Sequence, residues 1–241
     1  MMRLRTGHEL LDEDEGTPAE VARSLDELWW INRHLGGLST WRTLLRLWQR
    51  EDVRSHRELW SAPDFALLDV GAGTGEMAEY LVGELRHFGA PARAVACDRK
   101  PGHLRVRARP GAPACLAGDA FHLPFRDASF DLVTCNLFLH HFHDQPGNAM
   151  ACRLLLELAR VARRAVLIND LQRGWVPYLA FQALSPRFSR ITGHDGARSV
   201  RQAYTRPELV RLARDAGFLR YRAVRLWPYR LGLMIWKSHE P

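Results

Sequence analysis

The sequence predicts an α/β fold organised around a mostly parallel, doubly wound sheet, and two stretches carry that prediction. In the first, a short apolar run from Phe65 to Val70 holds Asp69 near its end. It breaks at Gly71-Ala72-Gly73-Thr74-Gly75, and helical periodicity resumes at Met77, Leu81 and Leu85. A buried strand, a glycine turn and a helix N-terminus in series form a nucleotide site at the carboxyl edge of a parallel sheet. Glycines at alternate positions let the backbone approach a ligand where a Cβ would clash. In the second, Ala94 to Cys97 reads as the next strand and ends in Asp98. Asp98 lies about 23 residues past Gly75, near the ~20 expected for a carboxylate that receives ribose hydroxyls.

The glycine spacing narrows the nucleotide. A dinucleotide loop wants G-x-G-x-x-G, but here the third glycine comes one residue early and Glu76 stands in its place. Further along, Gly118-Asp119-Ala120 follows a strand-like stretch from Pro113 to Ala117. Leu123-Pro124-Phe125 and Ser129-Phe130-Asp131-Leu132-Val133 come next, with Asn136 closing that fourth strand. These four pieces in order resemble class I S-adenosylmethionine (SAM)-dependent methyltransferases, over roughly residues 65 to 170. The resemblance implies SAM as cofactor and S-adenosylhomocysteine (SAH) as product. It implies a cofactor site of Asp69, Gly71, Ala72, Gly73, Gly75, Asp98, Arg99, Asp119, Ala120 and Asn136. Asp98 would hold the ribose, Asp119 would lie near the adenine amino group, and the Ala120 amide would lie near a ring nitrogen.

The elements before the glycine loop form a helical cap. Residues 1 to 16 read as a loose polar tail. Thr17-Pro18-Ala19-Glu20 is a capping box with proline at the first helical position. Its helix runs to Gly36-Gly37, and a second carries Trp41, Leu44, Leu45 and Trp48 at i, i+3, i+4, i+7. Division into a tail and cap at 1–61 and a catalytic domain at 62–241 follows. Trp29, Trp30, Trp41, Trp48 and Trp60 all fall in the cap, where they either fasten it to the sheet or wall an apolar acceptor. Trp29 and Trp30 are adjacent and point in different directions.

After a helix from about Gly147 to Val161 and a strand from Ala165 to Asn169, the stretch at about 171–204 departs from a minimal sheet. It is rich in aromatics and holds Tyr178, His194 and Asp195. In the enzymes the chain resembles, such an insertion helps form the acceptor pocket. Trp29, Trp30, Tyr178 and His194 are therefore the expected substrate contacts. Thr205-Arg206-Pro207-Glu208 is a second capping box. Phe218 to Leu226 and Arg230 to Trp236 then read as two strands joined by Trp227-Pro228-Tyr229. A terminal hairpin that reverses the last strand resembles the seven-stranded methyltransferase sheet.

Methyl transfer from a sulfonium is an in-line displacement that needs an aligned acceptor. A base is needed only where the acceptor carries a proton. Leu137-Phe138 stands where amino-methylating enzymes of nucleic acids and proteins hold two prolines, and Leu139-His140-His141 resembles the small-molecule branch, including quinone-biosynthesis and polyketide-associated enzymes. His140 or His141 could serve as base, since imidazole titrates near neutrality. His194-Asp195 is a second possible acid–base pair. A metal held by His140, His141, His143 and Asp144 is disfavoured, and no metal is expected.

Composition sets outer bounds. The chain has 241 residues, 46% of them hydrophobic, enough for one α/β domain with an accessory element. The net charge of +7 comes almost wholly from arginines scattered along the chain, with only Lys100 and Lys237 as lysines, which disfavours a nucleic-acid partner. Cys97, Cys115, Cys135 and Cys152 form no CxxC pair and read as buried reduced thiols of a cytoplasmic protein. No apolar run approaches membrane-spanning length. The expected function is methylation of a small apolar acceptor, aromatic or polyketide-like, at oxygen, by a monomer or homodimer. Carbon methylation of quinone type and methylation of RNA or protein are the alternatives.

Overall fold

The computed structural model describes residues 2–7, 9–13, 15–56, 64–106, 112–143 and 148–237. Its sheet has strands β1 (Ala66–Val70), β2 (Arg93–Asp98), β3 (Ala114–Ala117), β4 (Phe130–Asn136), β5 (Ala162–Leu171), β6 (Tyr221–Leu226) and β7 (Arg230–Trp236). The order is β3-β2-β1-β4-β5-β7-β6. Strands β1 to β5 pair in parallel, while β7 runs antiparallel to both β5 and β6. This is the seven-stranded class I methyltransferase sheet with its reversed last strand. The terminal hairpin falls where the sequence puts it. Strand β5 is longer than the apolar run 165–169, because Ala162 pairs with Phe130 across a register shift and Asp170 and Leu171 pair with β7.

Alternation along the strands feeds two cores. Leu68, Val133 and Val166 face α5 (Ala149–Val161) and α8 (Arg206–Asp215), meeting Leu154, Leu158 and Leu212. Leu67, Leu132 and Leu167 face α3 (Glu76–His87) and α2 (Gly37–His56) on the other side. The α2 stripe of Trp41, Leu44, Leu45 and Trp48 is fully buried there. At ~25 cal/mol per Å² and 150–250 Å² per large aromatic, the two tryptophans alone contribute on the order of 8–12 kcal/mol of gross burial, an upper bound. Trp60 lies outside the described residues.

Ahead of α2, α1 (Pro18–His34) starts at Thr17 with both capping-box hydrogen bonds formed. Among the described residues, two short helices also precede the insertion: α4 (Pro101–Val106) and a 3-10 turn at Leu139–Phe142. The insertion itself is α6 (Trp175–Leu184), a 3-10 turn at Ser185–Arg187, and α7 (Arg190–Gln202).

Two expectations are corrected. The N-terminal segment is a strap packed along α7. Met2 and Glu9 are buried. The Leu10 and Leu11 amides donate to Asp195 at 2.9 Å each, and Ser199 and Gln202 donate to Glu9 at 2.9 and 2.6 Å. Its polar composition reads as solvated because its partners on α7 are more than 180 residues away. Among the thiols, Cys97 and Cys135 are buried and Cys152 half-buried, but Cys115 is exposed on the edge strand β3, most of whose residues face solvent.

Candidate active site

The glycine loop joins β1 to α3 at the carboxyl edge of the sheet. Gly71, Gly73 and Gly75 all have positive φ, at 68°, 53° and 79°, a region closed to most side chains. Gly71 is doubly constrained, because a Cβ there would meet the Phe138 ring at 2.6 Å. The Ala72 amide donates to the Cys97 carbonyl at 3.1 Å and ties the loop to β2. Asp98, at the end of β2, accepts the Gly73 amide at 2.8 Å and the Lys100 amide at 2.9 Å. Its carboxylate is thus fixed beside the loop with lone pairs left for a diol.

Asp69 is buried and receives the Thr134 hydroxyl at 2.8 Å, while its second oxygen has no partner. Burial pushes its carboxyl up to about 7. Asp119, half-exposed after β3, accepts the Phe121 amide at 2.9 Å and pairs with His122 at 3.0 Å. Those contacts hold its carboxyl below the usual range. Ala120 is buried beside it. Arg99 is exposed and lines a cavity of about 430 Å³ under the start of α1 that the glycine loop does not reach. The side-chain Oδ1 of Asn136 accepts Trp41 Nε1 at 2.8 Å and Asn169 Nδ2 at 3.3 Å, so α2 fixes the end of β4. These residues line one edge and could hold an extended nucleoside.

The histidines form a separate network beside that edge. Leu137 has a φ of 51°, and the 3-10 turn after it carries His140 and His141. His140 is buried. Its Nδ1 lies 2.6 Å from Asp170 Oδ1, its amide donates to Asp170 Oδ2 at 3.0 Å, and its Nε2 has no hydrogen-bond partner. For Asp170 burial acts upward, but His140 and two backbone amides outweigh it and hold the carboxyl below its ordinary value. His141 Nδ1 lies 2.7 Å from Asp12 on the strap. Burial alone would lower its pKa. Glu9, Asp12 and Asp170 outweigh that and push it up to about 9.

Glu9 sits between the rings, 3.8 Å from His140 Nε2 and 3.9 Å from His141 Nε2. Among the described residues, Glu9, His140 and His141 bring their ring nitrogens and carboxylate within 4.8 Å of one another. Both Nδ1 atoms lie on further carboxylates, Asp170 and Asp12. His143 is turned away, with Nδ1 on the Gln202 carbonyl and its ring stacked on Tyr204. Asp144 lies outside the described residues.

The remaining expected contacts divide. Trp29 packs inward on the α2–α3 core, whereas Trp30 is 46% exposed and meets Phe188 edge-on. Tyr178 lies under the Arg201 guanidinium. His194 bonds Asp195 at 2.8 Å with its ring turned to solvent, while Asp195 is committed to the strap amides. Glu9, Asp12 and Asp170 were invisible as site residues in the sequence. Only the position of Asp170 at the end of a strand signals it, and nothing local marks the other two.

The fold and the loop geometry define a class I SAM-dependent methyltransferase, and the comparisons agree. Residues 68–167 match the family described as Methyltransferase domain. The chain is 31% identical over 189 residues to a demethylmenaquinone methyltransferase of Streptomyces avermitilis, covering 72% of this chain and 75% of that one. It is 41% identical over 103 residues to that of Thermobifida fusca, covering 40% and 39%. The chain belongs to this methyltransferase family, and its cofactor is SAM. Among solved structures, a plantazolicin methyltransferase in complex with a desmethyl analogue and SAH superposes with a TM-score of 0.64 at 14% identity, covering 95% of this chain and 98% of that one. A SAM-dependent methyltransferase from Aquifex aeolicus gives 0.52 at 20%, covering 78% and 95%. At those identities the likeness is one of fold.

Proposed function

We propose that this enzyme methylates a small, apolar, hydroxylated aromatic molecule at oxygen, with His140 as the base. One observation carries the reading. His140 Nδ1 is engaged by buried Asp170, which leaves Nε2, with no hydrogen bond and with Glu9 3.8 Å away, as the proton acceptor. The acceptor O–H proton passes to Nε2 as the oxygen–methyl bond forms and the sulfur–methyl bond of SAM breaks, releasing SAH. His141, positively charged at neutral pH, supports the developing phenolate electrostatically. Asp98, Asp119, Ala120 and the glycine loop hold the nucleoside, with Asp69, Arg99 and Asn136 around it. Residues 1–61 act as the cap and 171–204 complete the acceptor side, where Trp29, Trp30, Tyr178 and His194 contribute.

Transfer to a ring carbon is the second reading, favoured by relatives named for demethylmenaquinone and 2-phytyl-1,4-naphtoquinone methylation. A phenolate is nucleophilic at both oxygen and ring carbon, so the same base serves either outcome. The test offers labelled SAM with a reduced 2-prenyl-1,4-naphthoquinol and with a long-chain resorcinol, and reads the methyl environment by NMR. A methoxy product supports the first reading, and a ring methyl the second. Label that enters only RNA or protein in a cell extract would sink both.

A further inference from the structure

The insertion helix α6 breaks the usual rule for a surface helix. It carries no charged residue, and none of its ten residues is buried. Trp175, Val176 and Leu179 are 55%, 57% and 59% exposed. With Ala180 and Ala183 they form one outward stripe at helical spacing. An apolar stripe turned to water costs free energy that a monomer has no reason to retain.

The stripe continues around a rim. On its inner side Phe181 stacks on Phe188 at 5.9 Å, Phe188 meets Trp30 at 6.0 Å, and Trp30 stacks on His34 at 4.7 Å. His34 and Arg33 share a cleft with Trp227 and Pro228. Trp227 is 81% exposed and lies 5.9 Å from Tyr229. The Tyr229 carbonyl accepts the Gln172 amide, three residues before Trp175, so the circuit closes. It stands where β5 ends and β7 begins, the edge that also presents Asp170 to His140.

The charge beside this rim is basic. Arg33 and Arg187 are exposed next to Trp30 and Phe188, and Arg3 and Arg5 are exposed on the strap that reaches Arg201. Of the acids on α1 near this rim, Glu27 is engaged by Ser189 and Arg23, and Asp26 is exposed one turn before Trp30, so the four arginines still outnumber the acids there. Tryptophans at the level of a polar boundary with arginines around them suit a headgroup layer. A second copy of the same basic rim would bring like charges together.

We propose that this rim docks on an anionic lipid surface, which gives an apolar acceptor a path to the site without crossing water. The proposal rests on the apolar-acceptor reading above. The test is sedimentation of the full-length protein with phosphatidylglycerol–phosphatidylcholine vesicles, against pure phosphatidylcholine. Binding to the anionic vesicles should exceed the neutral case by about tenfold and weaken with salt. The double variant Trp175→Glu/Leu179→Glu, and separately Trp227→Glu, should each lower it about tenfold or more with unchanged melting temperature, and Trp227→Glu should leave the turnover of a short-tailed, water-soluble phenol unchanged. No binding to either vesicle would overturn the proposal, as would variants that bind like the parent. So would a concentration-dependent dimer dispersed by the same substitutions, which would assign the rim to a second copy. Vesicle binding without transfer to any hydroxylated aromatic would leave the docking surface standing and refute only the acceptor reading.

Discussion

Replacing Asp170 by Asn tests the base directly. The carboxylate accepts three hydrogen bonds, from His140 Nδ1 at 2.6 Å, the His140 amide at 3.0 Å and the Leu171 amide at 2.7 Å. An amide keeps the shape but has one oxygen and a donor. If its NH₂ faces Nδ1, the imidazole must carry its proton on Nε2 and can no longer accept one. If its oxygen faces Nδ1, the NH₂ opposes the His140 amide. In either arrangement the charge that stabilises the imidazolium is gone. At about 4 Å between charge centres and an effective dielectric of ~20, that attraction is about 4 kcal/mol. At ~1.4 kcal/mol per decade, this sets an upper bound of about a thousandfold in rate. We expect kcat/KM for a reduced naphthoquinol to fall by about 10²–10³, with SAM affinity by calorimetry within about threefold of the parent. Raising the pH should restore the variant as the phenol, with a pKa of ~10, ionises unaided. A loss under about fivefold, or a SAM affinity that falls in step with the rate, would show that His140 is not a base oriented by Asp170.

Asp98→Asn should weaken SAM binding by about 1–3 kcal/mol through its ribose contacts, and calorimetry that finds no change would remove Asp98 from the cofactor site. Gly71→Ala forces a side chain into positive φ and into the Phe138 ring. A loss of at least about 1–3 kcal/mol in denaturant melts is expected, and parent-like stability would contradict the loop geometry. Asp69 has its folded pKa raised by burial from 3.8 to about 7. Its stabilising proton is fully held below pH 3.8 and lost as pH rises through 7. Asp69→Asn should therefore gain on the parent between those values, by at most about 4 kcal/mol, and parallel stability curves would count against a buried Asp69. His141 is raised from 6.5 to about 9, so its grip on Glu9 and Asp12 is complete below pH 6.5 and lost as pH rises through 9. Protease cleavage within the strap should accelerate across that window, and a flat rate would mean that His141 does not hold it.

Much of this protein is determined by sequence close at hand. The capping box at Thr17, the glycine turn from Gly71 to Gly75, the carboxylate ending β2 and the hairpin around Pro228 are each written within a few residues, because dihedral preferences and hydrogen bonds to neighbours act locally. So is the stripe of Trp41, Leu44, Leu45 and Trp48, whose spacing announces a buried face. The sequence does not say that Trp41 would reach Asn136, that Asp170 rather than His194-Asp195 would orient a histidine, or that Glu9 would enter the space between two imidazoles. Those contacts join segments 30 to 132 residues apart. Their energy depends on desolvation and on distances that exist only once β5, α7 and the strap have packed together. A polar tail and a buried polar strap have the same composition, and only the tertiary structure, by supplying partners for Glu9, Leu10 and Asp12, makes one the other.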